Sequence, residues 1–233
     1  MINYSYFNKN FKYTILLLHG WGVDSSYMNS LKDFLIEEYN ILILDLPGHG
    51  KEKLNRVYTI EDYVEDIHLI VEKENIEKLY ILGHSFGGKI GGFYAKKYSL
   101  EGEILISPSL IKPKGSLVRF IKVFLYKLLK KLHLRIPKFL LGSRDYLLTD
   151  AIKRKTFVNV VNSYLSKKEL KNIKIPIILI GFNLDKEVKV YQMKKLNHYL
   201  NNSRLFMYEG NHFSYFNYFK EIRLLLNLLR SDL

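Results

Sequence analysis

The chain has 233 residues and no cysteine, and its 36 Lys plus Arg against 23 Asp plus Glu give a formal net charge of +13. The missing cysteine excludes a disulfide framework, a thiolate metal site and a cysteine nucleophile, while 48% hydrophobic and 25% charged residues exclude a disordered chain. Only eight of the basic residues are arginines, so the charge sits mainly on hydrated lysines rather than on the bidentate forks that read phosphates and base edges, and no nucleic-acid partner is expected.

In chain order, the first element is a run at 13–18 whose Ile and Leu are nearly continuous, the pattern of a strand covered on both faces. It follows Lys12 as a signal peptide would, but it is shorter than the roughly 7–15 residues of a signal core and leads into His19-Gly20-Trp21-Gly22. No apolar stretch approaches the ~18 residues that cross a bilayer, and a cytoplasmic location is expected. An amphipathic segment at 26–38, carrying Met28, Leu31, Phe34 and Leu35, precedes a strand at 41–45. Thr59 reads as a helix N-cap, with Glu61 and Asp62 favoured by the helix dipole in the first turn and Ile60, Tyr63, Val64, Ile67 and Val71 at helical spacing. A strand at 79–82, a helical run at 89–97 and a strand at 103–107 follow. Strands at 175–180 and 204–208 and a closing helix at 213–229 complete an alternation that specifies an α/β fold with right-handed crossovers.

One region breaks this alternation, because 111–172 holds helical patterns and no strand. Within it Leu117, Ile121, Phe124, Leu125, Leu128 and Leu132 share one face, with Arg119, Lys122, Lys127 and Lys130 mostly opposite. The expected organisation is a core at 1–110 and 173–233 and a helical cap, or lid, at 111–172 that packs its apolar face over one end of the sheet. Weak contact of the basic helix at 117–132 with an anionic membrane is a narrower expectation. Phe120, Phe124, Phe139, Tyr146 and Phe157 are available to line an apolar pocket.

The strongest chemical signal is Gly83-His84-Ser85-Phe86-Gly87-Gly88, directly after a strand and before a helix. A sharp strand-to-helix turn exposes the hydroxyl of its central serine and needs glycines where neighbouring elements crowd it. No Gly-Lys-Ser/Thr ending accompanies the glycines, so a phosphate loop does not explain them. Acyl transfer at Ser85 needs two N–H donors for the oxyanion. The amide of Phe86, next to the nucleophile, is one candidate, and that of Trp21, between two glycines at the end of the first central strand, is the other.

A serine nucleophile also needs a base and an orienting carboxylate. Of seven histidines, His19 and His49 fall in glycine-rich turns, His84 adjoins the serine on the other side of the strand pleat, and His68, His133 and His198 fall in helical patterns. His212, in Glu209-Gly210-Asn211-His212-Phe213 between the last strand and the closing helix, can reach the carboxyl edge of the sheet. Asp185 lies in the loop after the strand at 175–180, giving the chain order Ser85, Asp185, His212. Glu187, two positions on, is an alternative acid.

These motifs, with Asp45-Leu46-Pro47-Gly48-His49-Gly50, resemble the α/β-hydrolase superfamily over nearly the whole chain. The resemblance implies a mostly parallel sheet with helices on both faces and a helical cap after the sixth strand of the fold. It implies Ser85 as nucleophile, Asp185 and His212 completing a triad, Trp21 and Phe86 as the oxyanion hole, an architectural role for Asp45, Gly48 and Gly50, and no cofactor or metal. Three features depart from the family's pattern. The Asp185 loop is one residue longer than usual, the Gly-His-Gly turn continues as Lys51-Glu52-Lys53, and the short N-terminal segment leaves room for about one antiparallel strand. The expected activity is a serine carboxylesterase acting on a small apolar acyl substrate through an acyl-enzyme. Thioester or carbon–carbon bond cleavage on the same triad, and a ligand-binding or signalling protein that keeps the hydrolase shell, are the alternatives.

Overall fold

The computed structural model describes residues 2–115, 129 and 150–231. Seven strands form one sheet: β1 (Tyr4–Phe7), β2 (Thr14–Leu18), β3 (Asn40–Leu44), β4 (Leu79–His84), β5 (Gly102–Ile106), β6 (Ile177–Phe182) and β7 (Ser203–Tyr208). Their order is β1-β3-β2-β4-β5-β6-β7. Among these strands only β1 is antiparallel, with Tyr4 opposite Leu44. The five inner strands are buried along their whole length, which is why their sequences are continuous in Ile and Leu, whereas the edge strands β1 and β7 are partly exposed.

Alternation along the strands builds two apolar layers. Ile15, Leu17, Ile41, Ile43, Leu82, Ile104 and Ile180 face α1 (Asn29–Leu35) and the closing helix, here α7 (Phe219–Ser231). Leu16, Leu18, Leu42, Ile81, Leu105 and Leu179 face α2 (Ile60–Lys73), α3 (Phe86–Lys97) and α6 (Val190–Tyr199). Thr59 caps α2 in a reciprocal box, its hydroxyl accepting from the Asp62 amide and the Asp62 carboxylate accepting from the Thr59 amide. Two expected helices are shorter than their patterns. The segment at 26–38 divides into a 3-10 turn, Ser25–Met28, capped by Asp24, and α1. The closing segment divides into a 3-10 turn, Ser214–Asn217, and α7, because Tyr215 is drawn into the core and its hydroxyl donates to the Tyr27 carbonyl.

The inserted region follows β5, which is this chain's fifth strand because a single strand precedes β2. Its described part contains α4 (Ala151–Asn162) and α5 (Lys167–Asn172), capped by Asp150 and Ser166. The basic helix expected at 117–132, and Phe120, Phe124, Phe139 and Tyr146, lie outside the described residues, Leu129 apart.

Glu103, the second residue of β5, is fully buried and neither of its carboxyl oxygens has a hydrogen-bond partner. Burial pushes it up to about 8, so the folded protein holds a proton that the unfolded chain gives up near 4.5. Stability contributed by this proton is full below the unfolded value and is lost as pH rises toward 8, at about 1.4 kcal/mol per pH unit. Thermal unfolding of the wild type is therefore expected to shift down between pH 6.5 and 8, and Glu103→Leu is expected to flatten that slope. An equally steep slope in the variant would show that the proton is held elsewhere.

Candidate active site

Ser85 occupies the turn from β4 into α3 at φ 53° and ψ −104°, a left-handed region that a non-glycine residue enters only when its surroundings compel it. Its amide donates to the Ile106 carbonyl at 2.8 Å, pinning the turn to the adjacent strand. The flanking glycines are dictated by close approach. A Cβ at Gly87 would lie 2.2 Å from the Leu18 carbonyl oxygen, and one at Gly83 would lie 2.6 Å from the Gly87 carbonyl.

Beside this turn, the loop after β2 carries His19 and Trp21. Buried His19 accepts from the Leu46 amide through Nε2 at 3.0 Å, so its proton sits on Nδ1 and donates to the Gly20 carbonyl at 2.8 Å. The ring thus braces the loop against the turn after β3. In that turn Asp45 accepts from the Ser25 and Lys51 amides, each at 2.9 Å. Burial alone would raise its carboxyl, and these hydrogen bonds outweigh burial and hold it below the usual range. Gly50, at φ +53°, has no room for a Cβ, which would lie 2.2 Å from Asp45 Oδ2. The Trp21 ring meets Phe86 edge-on at 5.2 Å and His49 at 4.6 Å. The backbone amides of Trp21 and Phe86 donate to no acceptor among the described residues.

At the far side of the turn, His212 Nδ1–H donates to Asp185 Oδ2 at 2.8 Å, which leaves Nε2 as a proton acceptor. The other oxygen, Asp185 Oδ1, accepts from the amides of Glu187 at 2.8 Å and Val188 at 2.9 Å. Burial pushes the Asp185 carboxyl up, but the bonds from His212 and Val188 prevail and keep it below its ordinary value. Glu187 is exposed and meets Asp185 through its own amide, so the acid in contact with the imidazole is Asp185.

Ser85, His212, Trp21 and Phe86 line one cavity of about 400 Å³. Ser85 and His212 share no hydrogen bond in this state, and such contacts commonly close only around substrate. Phe157, Val160 and Val161 of α4 form part of the wall. Three lining residues carry no signal that strand or helix periodicity could expose. His84 is one, because the left-handed step at Ser85 interrupts the alternation and leaves both side chains on the cavity. It donates through Nε2 to the His212 carbonyl at 2.9 Å, and burial pushes it down to about 3, so it braces the His212 loop as a neutral ring. Gln192 and Lys89 are the others, both buried polar residues on helices. Among the described residues no group of His, Asp and Glu has the arrangement of a metal site, and no helix is long and apolar enough to cross a membrane.

A mostly parallel sheet that presents a strained serine between a central strand and its following helix, with an Asp–His pair from the loops after the last two strands, defines the α/β-hydrolase class of fold. Residues 13–112 match the family model described as the alpha/beta hydrolase fold. A probable serine hydrolase of Drosophila melanogaster is 36% identical over 103 residues, 42% of this chain and 31% of that protein. A serine hydrolase-like protein of Danio rerio is 32% identical over 36% of this chain and 27% of its own length, so the chain spans less than a third of either animal relative. A pimeloyl-[acyl-carrier protein] methyl ester esterase of Wigglesworthia glossinidia brevipalpis is 26% identical over 85% of this chain and 86% of that protein. The crystal structure of the Paleococcus ferrophilus monoacylglycerol lipase superposes with a TM-score of 0.72 at 23% identity, covering 99% of both chains. The chain has the α/β-hydrolase fold.

Proposed function

We propose that the protein is a serine hydrolase that cleaves carboxylic esters through an acyl-enzyme. Ser85 Oγ attacks the ester carbonyl as His212 Nε2 takes its proton. The amides of Trp21 and Phe86 receive the oxyanion, and the protonated imidazole then gives its proton to the departing alcohol. Water, deprotonated by the same nitrogen, attacks the acyl carbon and regenerates Ser85. Asp185 keeps the Nδ1 proton in place throughout and steadies the imidazolium. The segment at 111–172 serves as the cap, its α4 residues forming part of the acyl wall.

The observation that carries this reading is the 2.8 Å Asp185–His212 bond beside a serine held at φ 53° on the same cavity. The ester-cleaving names of the Wigglesworthia relative, matched over 86% of its length, and of the superposed lipase support esters over the other acyl bonds.

A fluorophosphonate probe is expected to label the wild type at Ser85, and nitrophenyl esters of short and medium acyl length are expected to turn over. Ser85→Ala is expected to lose the labelling and at least ~10⁴-fold of the turnover. Labelling that survives in Ser85→Ala would move the nucleophile elsewhere. Intact folded protein with neither labelling nor turnover would favour a ligand-binding role for the shell.

A further inference from the structure

Among the groups lining the cavity, Lys89 is a cation that acyl transfer at Ser85 does not use. It sits in the first turn of α3, where the aligned backbone dipoles disfavour positive charge, and it is only 1% exposed. Its ammonium donates to the Val160 carbonyl at 2.8 Å and lies 4.6 Å from the centre of the Tyr164 ring. No carboxylate pairs with it among the described residues, and burial holds it down to about 8. An ammonium has three donors, so a carbonyl and a ring face leave capacity for a ligand.

A buried cation without a counter-ion costs stability that a methionine at the same place would not. Lys89 is also the only Lys or Arg among the described residues that line the cavity. The remaining titratable groups on the wall are His84, His212, Tyr164 and the exposed Glu187. A single cation with a carboxylate at the rim suits a monoanion, whereas a dianionic phosphate asks for more than one donor cluster.

We propose that the cavity takes acyl substrates bearing a carboxylate at the end remote from the scissile ester, with Lys89 as the group that receives it. This specificity role rests on the serine-hydrolase reading above.

The test compares monomethyl esters of dicarboxylic acids, from succinate to suberate, with methyl esters of the fatty acids of equal chain length. The readout is the ratio of kcat/KM for acidic over neutral substrate. The wild type is expected to favour at least one acidic ester, Lys89→Met to lower that ratio by about 10–100-fold, and Lys89→Arg to restore much of it. A lysine that only ties α3 to α4 would depress both substrates alike and leave the ratio unchanged, and that result overturns the proposal. So does a wild type that favours no acidic ester. Free adipate provides a check that needs no variant, since it is expected to inhibit the wild type competitively. If no ester of either kind is cleaved, the hydrolase reading fails by itself. Calorimetry of monomethyl adipate with Ser85→Ala then decides the anion site, with binding lost in the Ser85→Ala, Lys89→Met double variant supporting it and no binding to either overturning it.

Discussion

Asp185→Asn is expected to lower kcat on a nitrophenyl ester by about 10⁴, with a much smaller change in KM. The carboxylate accepts three bonds, from His212 Nδ1–H and the amides of Glu187 and Val188. An asparagine can keep the two backbone bonds through its oxygen. It then turns its NH2 toward His212, which favours the tautomer with the proton on Nε2 and removes the base that Ser85 requires. The loss is therefore chemical rather than structural, and the variant is expected to unfold within a few degrees of the wild type. Glu187→Gln, two residues away, is expected to cost less than about tenfold, because that side chain is exposed and only its amide serves the site. Equal losses in the two variants, measured by steady-state kinetics on one ester, would remove Asp185 from the proposed triad.

Gly87→Ala is expected to cause the largest loss of stability of any single methyl addition at the site. The new Cβ would fall 2.2 Å from the Leu18 carbonyl oxygen, which belongs to the backbone of a fully buried central strand and cannot rotate away. Relief requires α3 to move off the sheet, and the 3.0 Å bond from the Gly87 amide to the His19 carbonyl goes with it. The cost is about 3 kcal/mol or more, or a fall in Tm of roughly 6–12 °C for a chain of this size. Gly22→Ala provides the contrast. A Cβ there meets nothing within 4 Å, and the penalty is only that of holding φ at +81°, about 1–2 kcal/mol. Thermal unfolding of the two variants side by side separates close approach from backbone conformation. Equal shifts would mean that α3 yields more easily than its packing implies.

Much of the fold was legible because it depends on local patterns. The buried inner strands could be read as continuous Ile and Leu runs, and their ends shifted by at most two residues in the structure. The α2 cap was equally plain, since Thr59 and Asp62 stand three apart and cap each other without help from the rest of the chain. The divided closing helix was not legible. The pattern from 213 to 229 is amphipathic throughout, and only the pull of Tyr215 toward Tyr27 and Met28 interrupts it.

The sequence by itself determined the strand and helix alternation and the residues whose neighbours along the chain betray them. Ser85 stands out by its flanking glycines, and Trp21, Asp185 and His212 by their positions just after strands. The sequence favoured Asp185 and left Glu187, two positions on, as an alternative; tertiary structure removed the alternative by turning the Asp185 carboxylate inward onto the imidazole and leaving that of Glu187 exposed. It also decided that His84 braces the His212 loop and that Lys89 is buried in the cavity wall. Those two roles arise from contacts 128 and 71 residues apart along the chain. No spacing rule reaches that far, and packing of the crossovers around one sheet end creates the environment that gives each side chain its chemistry.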